Sequence, residues 1–500
     1  MNKKTIGLLL GPALFAAVLL FVQPDDPEML SKDENAVLLS KEAIAVLAST
    51  LWIATWWILE VIPIAVTALL PIILFPLTGA LGLSETTVSF GHRYIFLYVG
   101  GFILAIAIER WDLHRRIALH IIQLIGTNLR NIILGFMVAT AFLSMWISNT
   151  ATSVMMLPIG MAVITQLKDN PITKADENEI FGKILMLSIA YSASIGGVAT
   201  LIGTPPNLVL AGIVQELYNI EITFSKWIMI GLPVSLIMLA ICWYYLTHLA
   251  ASFKQQSFPG GKAEIKRQID SLGPISFEEK VVLAVFAATA FAWITRSYLL
   301  NVFVPALDDT IIAIIAATTL FLLPAGKGKG RKIVKWEEAV KLPWGVLLLF
   351  GGGLSLAAGF GETGLAEWIG SQLSLLEGLS LLLLLLVLVA AVNFLTEITS
   401  NLATTAMLLP ILAPLAAVIG VHPYVLMIGA TLAASCAFML PVATPPNAIV
   451  FGSGYLKIPE MVKTGVWLNL ISIAILTIIV YFILPYLWGF NPHEFPDNMR

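Results

Sequence analysis

The chain has 500 residues, of which 58% are apolar and 12% charged, with a net charge of −3 and a mean hydropathy of +0.90. A soluble domain carries about a quarter charged residues, so no water-facing surface can be built from this composition and most of the surface faces lipid. The near-neutral balance, with no basic stripe interleaved with aromatics, excludes a nucleic-acid partner.

From the N-terminus, Lys3 and Lys4 precede an apolar run, 5–22, with no small-x-small cleavage site before Gln23, so it is expected to remain as a first helix. Further spans of about 20 apolar residues are expected at 42–59, 64–80, 94–109, 228–249, 280–299, 310–324, 345–360 and 465–488. The segments 84–93 and 336–342, polar and aromatic, suit the membrane interface. Four more apolar segments, around 131–165, 184–213, 380–418 and 424–452, are interrupted by Ser, Asn, Thr, Gly or Pro. Irregular backbone survives at membrane depth only where protein or a watery cavity satisfies it, so function is expected there. Cys242 and Cys436, the two cysteines, sit in apolar runs and read as small buried hydrophobes.

Basic residues gather at 110–130, 251–280 and 326–341, acidic ones at 24–35 and at Asp308-Asp309. Positive-inside asymmetry predicts a multi-pass protein of the cytoplasmic membrane, with the N-terminus and the three basic segments in the cytoplasm and the C-terminus outside.

The sequence repeats itself. Residues 148–159 and 400–411 are identical at eight of twelve positions, an offset of 252 shared by Gly100-Gly101 with Gly352-Gly353, Leu104 with Leu356 and Leu113 with Leu365. Thr204-Pro205-Pro206-Asn207 recurs as Thr444-Pro445-Pro446-Asn447 at an offset of 240. The span at 94–109 runs into a basic segment while its repeat at 345–360 leaves one, so the halves are inverted, as in many secondary transporters. The expected fold is therefore an all-α polytopic membrane protein of about eleven spans, an inverted-topology repeat with two re-entrant helical hairpins and two broken helices.

Each Ser-Asn motif lies between apolar arms of about 15 residues, roughly 22 Å of helix, short for a full crossing and suited to a hairpin turning at mid-depth. At such a tip, carbonyls ending one arm face a cation and amides opening the next face an anion. Thr-Pro-Pro-Asn cannot continue a helix, so breaks are expected near 203–206 and 443–446, with free carbonyls completing an oxygen cage. No Lys, Arg or His lies in the four interrupted segments, so a bound anion must be neutralised by amides, hydroxyls and co-bound cations. Glu397, near the second tip, reads either as an ion-linked group or as a capped, paired side chain.

These paired motifs resemble the divalent anion/sodium symporters, the INDY-like di- and tricarboxylate carriers, over roughly 40–490. The resemblance implies sodium-coupled symport of a small dicarboxylate, an elevator mechanism and a homodimer. Its scaffold would comprise 1–125 and 251–375, its moving part 126–250 and 376–490. It implies one sodium site at Ser144, Ser148, Asn149 and Gly203 and another at Thr396, Thr399, Asn401 and Ala443. Substrate carboxylates would meet Ser148, Asn149, Thr150, Ser400, Asn401, Thr444 and Pro445, with Thr204 and Pro205 as repeat counterparts of the last two. Two departures stand out. Leu402 replaces a hydroxyl and is expected to border the substrate's carbon chain, and Thr399 replaces a smaller residue whose ligand would be a backbone carbonyl. A sodium-independent exchanger or a sulfate carrier are the other readings on the same fold. An embedded enzyme is disfavoured, because the six histidines are scattered and no His-Glu-x-x-His or Gly-x-Ser-x-Gly motif occurs. A channel would need a polar stripe along several helices, whereas polarity here is confined to mid-depth clusters.

Overall fold

The computed structural model describes residues 3–26, 37–126, 128–168, 175–251, 261–326, 330–372 and 380–499. Within the acidic segment 24–35 and the basic segments 251–280 and 326–341, residues 27–35, 252–260 and 327–329 lie outside the described residues. Among the described residues the secondary structure is helical, without a β-strand, and ten helices are long and apolar enough to cross a membrane.

The first half comprises α1 (Lys3–Phe21), α2 (Lys41–Leu59), α3 (Ile64–Thr78), the short α4 (Leu83–Val88), α5 (Arg93–Arg110), the amphipathic α6 (Leu113–Ile125), α7 (Leu129–Ser144), α8 (Asn149–Lys168), α9 (Ala175–Gly197), α10 (Pro205–Tyr218) and α11 (Phe224–Tyr244). After α12 (Gly261–Ser271), the second half repeats this order. It runs α13 (Phe277–Thr295), α14 (Asp309–Leu322), α15 (Trp336–Ala339), α16 (Trp344–Glu362), α17 (Leu365–Gln372), α18 (Leu381–Leu395), α19 (Asn401–Val418), α20 (Pro423–Ala434), α21 (Pro445–Phe451) and α22 (Ile458–Ile478).

The four interrupted segments are the two hairpins, α7–α8 and α18–α19, and the two broken helices, α9–α10 and α20–α21. Local chemistry sets their ends. Asn128 accepts the Asn131 amide at 2.7 Å to cap α7, and proline occupies the first turn of α10 and of α21, where its missing N–H is no loss. The halves interlock. A Cβ on Gly100 of α5 would lie 2.7 Å from the Ala313 backbone of α14, and Gly352 of α16 abuts Ala68 in α3. The first hairpin's α8 packs on α21 and the second hairpin's α19 on α10, so each hairpin faces the other half's broken helix.

Ion pairs gather at both ends of the bundle. On the side of the basic segments, Arg110 and Arg331 pair with Glu338 at 2.8 and 2.5 Å, and Arg116 pairs with Glu279 at 2.6 Å. Burial pushes the Glu338 carboxyl up, but hydrogen bonds from Arg331, the Lys335 amide and Arg110 outweigh it and hold the pKa below the ordinary value. On the opposite side Arg296 pairs with Asp309 at 2.8 Å and Glu221 at 2.6 Å, while the Phe224 amide donates to Asp309 at 2.8 Å. Removing one partner of a buried ion pair strands the other charge, at about 3–5 kcal/mol, whereas an exposed pair is worth under about 1 kcal/mol. The side chain of Asp309 is 2% exposed and that of Glu221 31%. Asp309→Ala is therefore expected to lower the melting temperature of the detergent-solubilised protein well below that of Glu221→Ala. Equal melting temperatures would contradict this ranking.

Candidate functional site

The first tip, residues 145–148, joins α7 to α8. The Ser144 hydroxyl donates to the Ala193 carbonyl at 2.7 Å and lies 2.5 Å from Asn149 Oδ1. That same end of the Asn149 side chain is 3.2 Å from the Ala193 carbonyl and 3.3 Å from the Gly203 carbonyl. A Cβ on Gly197 would meet Asn149 Oδ1 at 2.5 Å, so glycine is required for the broken helix to approach this closely. Oxygens of Ser144, Asn149, Ala193 and Gly203 thus converge on one point. Two arrangements satisfy them: the amide turned so that its NH2 donates, or a cation held between four oxygens.

The second tip, residues 396–400, repeats the pattern. The Thr396 hydroxyl lies 2.7 Å from Asn401 Oδ1 and 2.9 Å from the Ala434 carbonyl, with one proton to share between the two acceptors. Ser144 and Thr396 are fully buried and correspond in the repeat at the offset of 252; at the offset of 240 Ala193 corresponds to Ala433, so the second cluster takes its carbonyl one residue further on, from Ala434, the last residue before its break. The Thr399 hydroxyl faces into its own hairpin, donating to the Leu395 carbonyl at 2.9 Å and lying 2.6 Å from Thr404 Oγ1, which leaves only its carbonyl as a ligand. Ala443 is buried within the second break, its amide bonded to the Leu440 carbonyl at 3.2 Å.

The tips also open helices. The Ser148 hydroxyl accepts the Ala151 amide at 3.2 Å and the Ser148 carbonyl the Thr152 amide at 3.0 Å, while the Ser400 carbonyl accepts the Thr404 amide at 2.8 Å. The other first-turn amides of α8 and those of α19 have no acceptor within their own helices, and both helix N-termini favour an anion. Thr204 and Thr444 are extended residues before Pro205 and Pro445.

The breaks span 198–204 and 435–444, wider than the sequence suggests. Their carbonyls are held by the motif asparagines. Asn207 Nδ2 donates to the Thr200 carbonyl at 2.8 Å and the Val198 carbonyl at 3.3 Å, and Asn447 Nδ2 to the Leu440 and Ala437 carbonyls at 3.0 and 3.3 Å. Glu397 is buried and accepts the Phe438, Met439 and Leu440 amides at 2.8, 2.9 and 3.0 Å and Asn469 Nδ2 at 2.7 Å. It binds the second tip to the second break as a capped, paired side chain. At its repeat position stands Met145, whose carbonyl instead accepts the Thr200 hydroxyl at 2.5 Å. An aromatic stack ties the first tip to its surroundings: Trp146 lies 6.0 Å from Phe224 and 5.0 Å from Phe286, and Phe224 lies 4.9 Å from Trp293.

The two tips differ in access. On α8, Thr150, Val154 and Pro158 form an exposed stripe leading from the tip toward the basic side. The equivalent stripe on α19, Leu402, Ala406 and Pro410, is buried. α16 packs on both α19 and α10, whereas its repeat α5 makes no comparable packing on α8 or α21 among the described residues. The stripe below the second tip is thus covered by α16, while the stripe below the first tip is left uncovered. A cavity of about 930 Å³ on the acidic side stops short of the tips and is lined by Glu216, Glu362, Glu367, Glu494 and Asp497, a poor setting for an anion.

Ala193 and Ala434 escape sequence reasoning because their ligand is a main-chain carbonyl. No repeat offset points to them, because Ala193 and Ala434 are not equivalent positions at either 240 or 252. Asn207→Ala and Asn447→Ala each strip donors from buried carbonyls, at about 1–3 kcal/mol. Hydrogen exchange is expected to rise at 198–204 in the first and 435–444 in the second, each variant leaving the other break unchanged; uniform protection would contradict the clamp.

Residues 35–488 match the family described as the sodium:sulfate symporter transmembrane region. The sodium-dependent dicarboxylate transporter SdcS of Staphylococcus saprophyticus is 48% identical over 493 residues, covering 98% of this chain and 93% of that protein. SdcS of Staphylococcus aureus is 48% identical over 496 residues, with the same coverage. Among solved structures, the YdaH transporter of Alcanivorax borkumensis aligns over 98% of this chain and 100% of its own with a TM-score of 0.60 at 11% identity. MtrF of Neisseria gonorrhoeae covers 96% of both chains with a TM-score of 0.55 at 15% identity. At those identities the two likenesses concern the fold alone.

Proposed function

We propose that this chain, which belongs to the sodium:sulfate symporter family, carries a small dicarboxylate across the membrane together with sodium, as a secondary transporter rather than an enzyme. The observation that carries this reading is the convergence of Ser144, Asn149, Ala193 and Gly203 oxygens beside the N-terminus of α8, repeated by Thr396, Asn401 and Ala434 beside that of α19. Each cluster suits a sodium ion, and Ser148, Thr399 and Ala443 are the remaining ligands we assign. Two cations held there offset the two charges of the substrate where no Lys, Arg or His is available, and neutralising a buried anion by bound cations makes its uptake depend on them. The likeness to proteins named sodium-dependent dicarboxylate transporters supports the same assignment.

The substrate would lie between the tips. One carboxylate meets Ser148, Asn149 and Thr150, with Thr204 and Pro205 beside them; the other meets Ser400 and Asn401, with Thr444 and Pro445. Leu402 has only methyl groups to offer and borders the carbon chain. Its burial against the α16 side argues that it also helps seal the site. Access alternates as the hairpins and broken helices, within 126–250 and 376–490, move as an elevator against a scaffold of 1–125 and 251–375 in a homodimer. Lysine and arginine gather on the open side, which we assign to the cytoplasm of the cell membrane, with the C-terminus outside.

Asn149→Ala and Asn401→Ala are each expected to abolish sodium-driven succinate uptake into proteoliposomes while the protein stays folded; wild-type sodium dependence in either would remove that ligand assignment. Leu402→Thr is expected to shift competition among succinate, malate, citrate and sulfate by about tenfold, the worth of one hydrogen bond to a charged group at roughly 1.4 kcal/mol, with sodium affinity moving less. An unchanged selectivity panel would separate Leu402 from the substrate.

A further inference from the structure

We infer that Gly101 and Gly353 are paired docking notches, one for each closed state, and that Gly101 receives the Val154 stripe of α8 when the site closes toward the basic side. This rests on the alternation proposed above and names the residues that set its balance.

The argument begins with what each glycine faces. A Cβ built on Gly353 of α16 would stand 2.9 Å from the Ala406 Cβ of α19, closer than side chains tolerate, so this contact exists only because position 353 lacks a side chain. Gly101 occupies the same place in α5, and there a Cβ would meet only Ile202, at 3.6 Å, an ordinary contact. Glycine inside a helix is disfavoured relative to alanine, and nothing in this state requires it at 101.

The repeat supplies the requirement. Position 154 corresponds to 406 and position 101 to 353 at the same offset of 252. Ala406 is fully buried, whereas Val154 is 55% exposed. A second contact behaves alike. Gly212 of α10 lies against α16, where its Cβ would meet Phe350 at 2.7 Å and Leu354 at 3.0 Å. Its repeat counterpart Gly452, just past α21, meets only carbonyls of its own helix, and the α5 residues matching Phe350 and Leu354 are Tyr98 and Phe102. Both contacts that close the acidic side are formed, and both repeat-related contacts are open. Exchanging the conformations of the two halves brings Val154 to Gly101 and Gly452 to Tyr98 and Phe102, and withdraws Ala406 from Gly353.

The two glycines therefore act in opposite directions. A side chain at 353 opposes the state seen here, and one at 101 opposes its counterpart. The reporter is Val154→Cys labelled by a membrane-impermeant maleimide in proteoliposomes; the native thiols, Cys242 and Cys436, are buried. Gly353→Ala is expected to slow labelling about threefold and Gly353→Leu about tenfold, because the population moves to the state that covers position 154. Gly101→Ala and Gly101→Leu are expected to leave labelling at least as fast as in the parent. The alanine variants decide the matter if a leucine variant does not fold. Equal rates in all backgrounds, or slowing by the Gly101 variants, would overturn the inference. Sodium-driven succinate uptake by the parent is measured alongside: its presence with equal labelling rates discards the notches alone, and its absence discards the proposed function whatever the labelling shows.

Discussion

A helix that stops inside a membrane leaves carbonyls and amides where no water can reach them, and this fold is organised by how those groups are satisfied. Two helices break and two hairpins turn back, so unpaired main-chain groups accumulate near one level of the bundle. Asn207 and Asn447 hold the carbonyls of the breaks, and Glu397 holds three amides of the second one. What these side chains leave over is functional: carbonyls of Ala193, Gly203 and Ala434 turned toward the hydroxyls and amides of the tips, and the first-turn amides of α8 and α19. The ion and anion sites proposed above are built from these groups, in segments that contain no Lys, Arg or His.

The two halves solve the same problem with different side chains. Where the second tip uses Glu397 to grip the amides of its break, the first has Met145 and relies on the Thr200 hydroxyl reaching its carbonyl. Ser144 becomes Thr396 with its two contacts kept, since either residue supplies the same hydroxyl. Thr150 becomes Leu402, and there the chemistry changes. Such differences make the two tips unlike, with a hydroxyl at position 150 and methyl groups at 402.

Much of this was legible in the sequence. Proline after threonine marked where each break ends but not how far it extends, twin Ser-Asn motifs between short apolar arms marked the hairpins, and the sign of the flanking charges pointed to the inversion. Ser144, Asn149 and Gly203 do converge, as do Thr396 and Asn401. Main-chain ligands such as Ala193 were not legible, because a carbonyl leaves no mark on residue identity. The role of Glu397 remained open until its three amide partners were seen, since those amides are free only because 435–444 is unwound. The unequal packing of the two tips was not legible either: the stripes are repeat equivalents, and only the structure shows Leu402, Ala406 and Pro410 buried and Thr150, Val154 and Pro158 exposed.

The claim that the two oxygen clusters are cation sites is tested most directly without transport. A ligand that binds only the folded protein raises its melting temperature in proportion to the logarithm of its concentration over its dissociation constant. The melting temperature of the purified protein, followed across a series of sodium chloride concentrations at constant ionic strength against potassium chloride, is predicted to rise with sodium and not with potassium. The rise should steepen when succinate is present, because each cation lowers the cost of burying the anion. Identical melting curves in sodium and potassium, with and without succinate, would contradict the account.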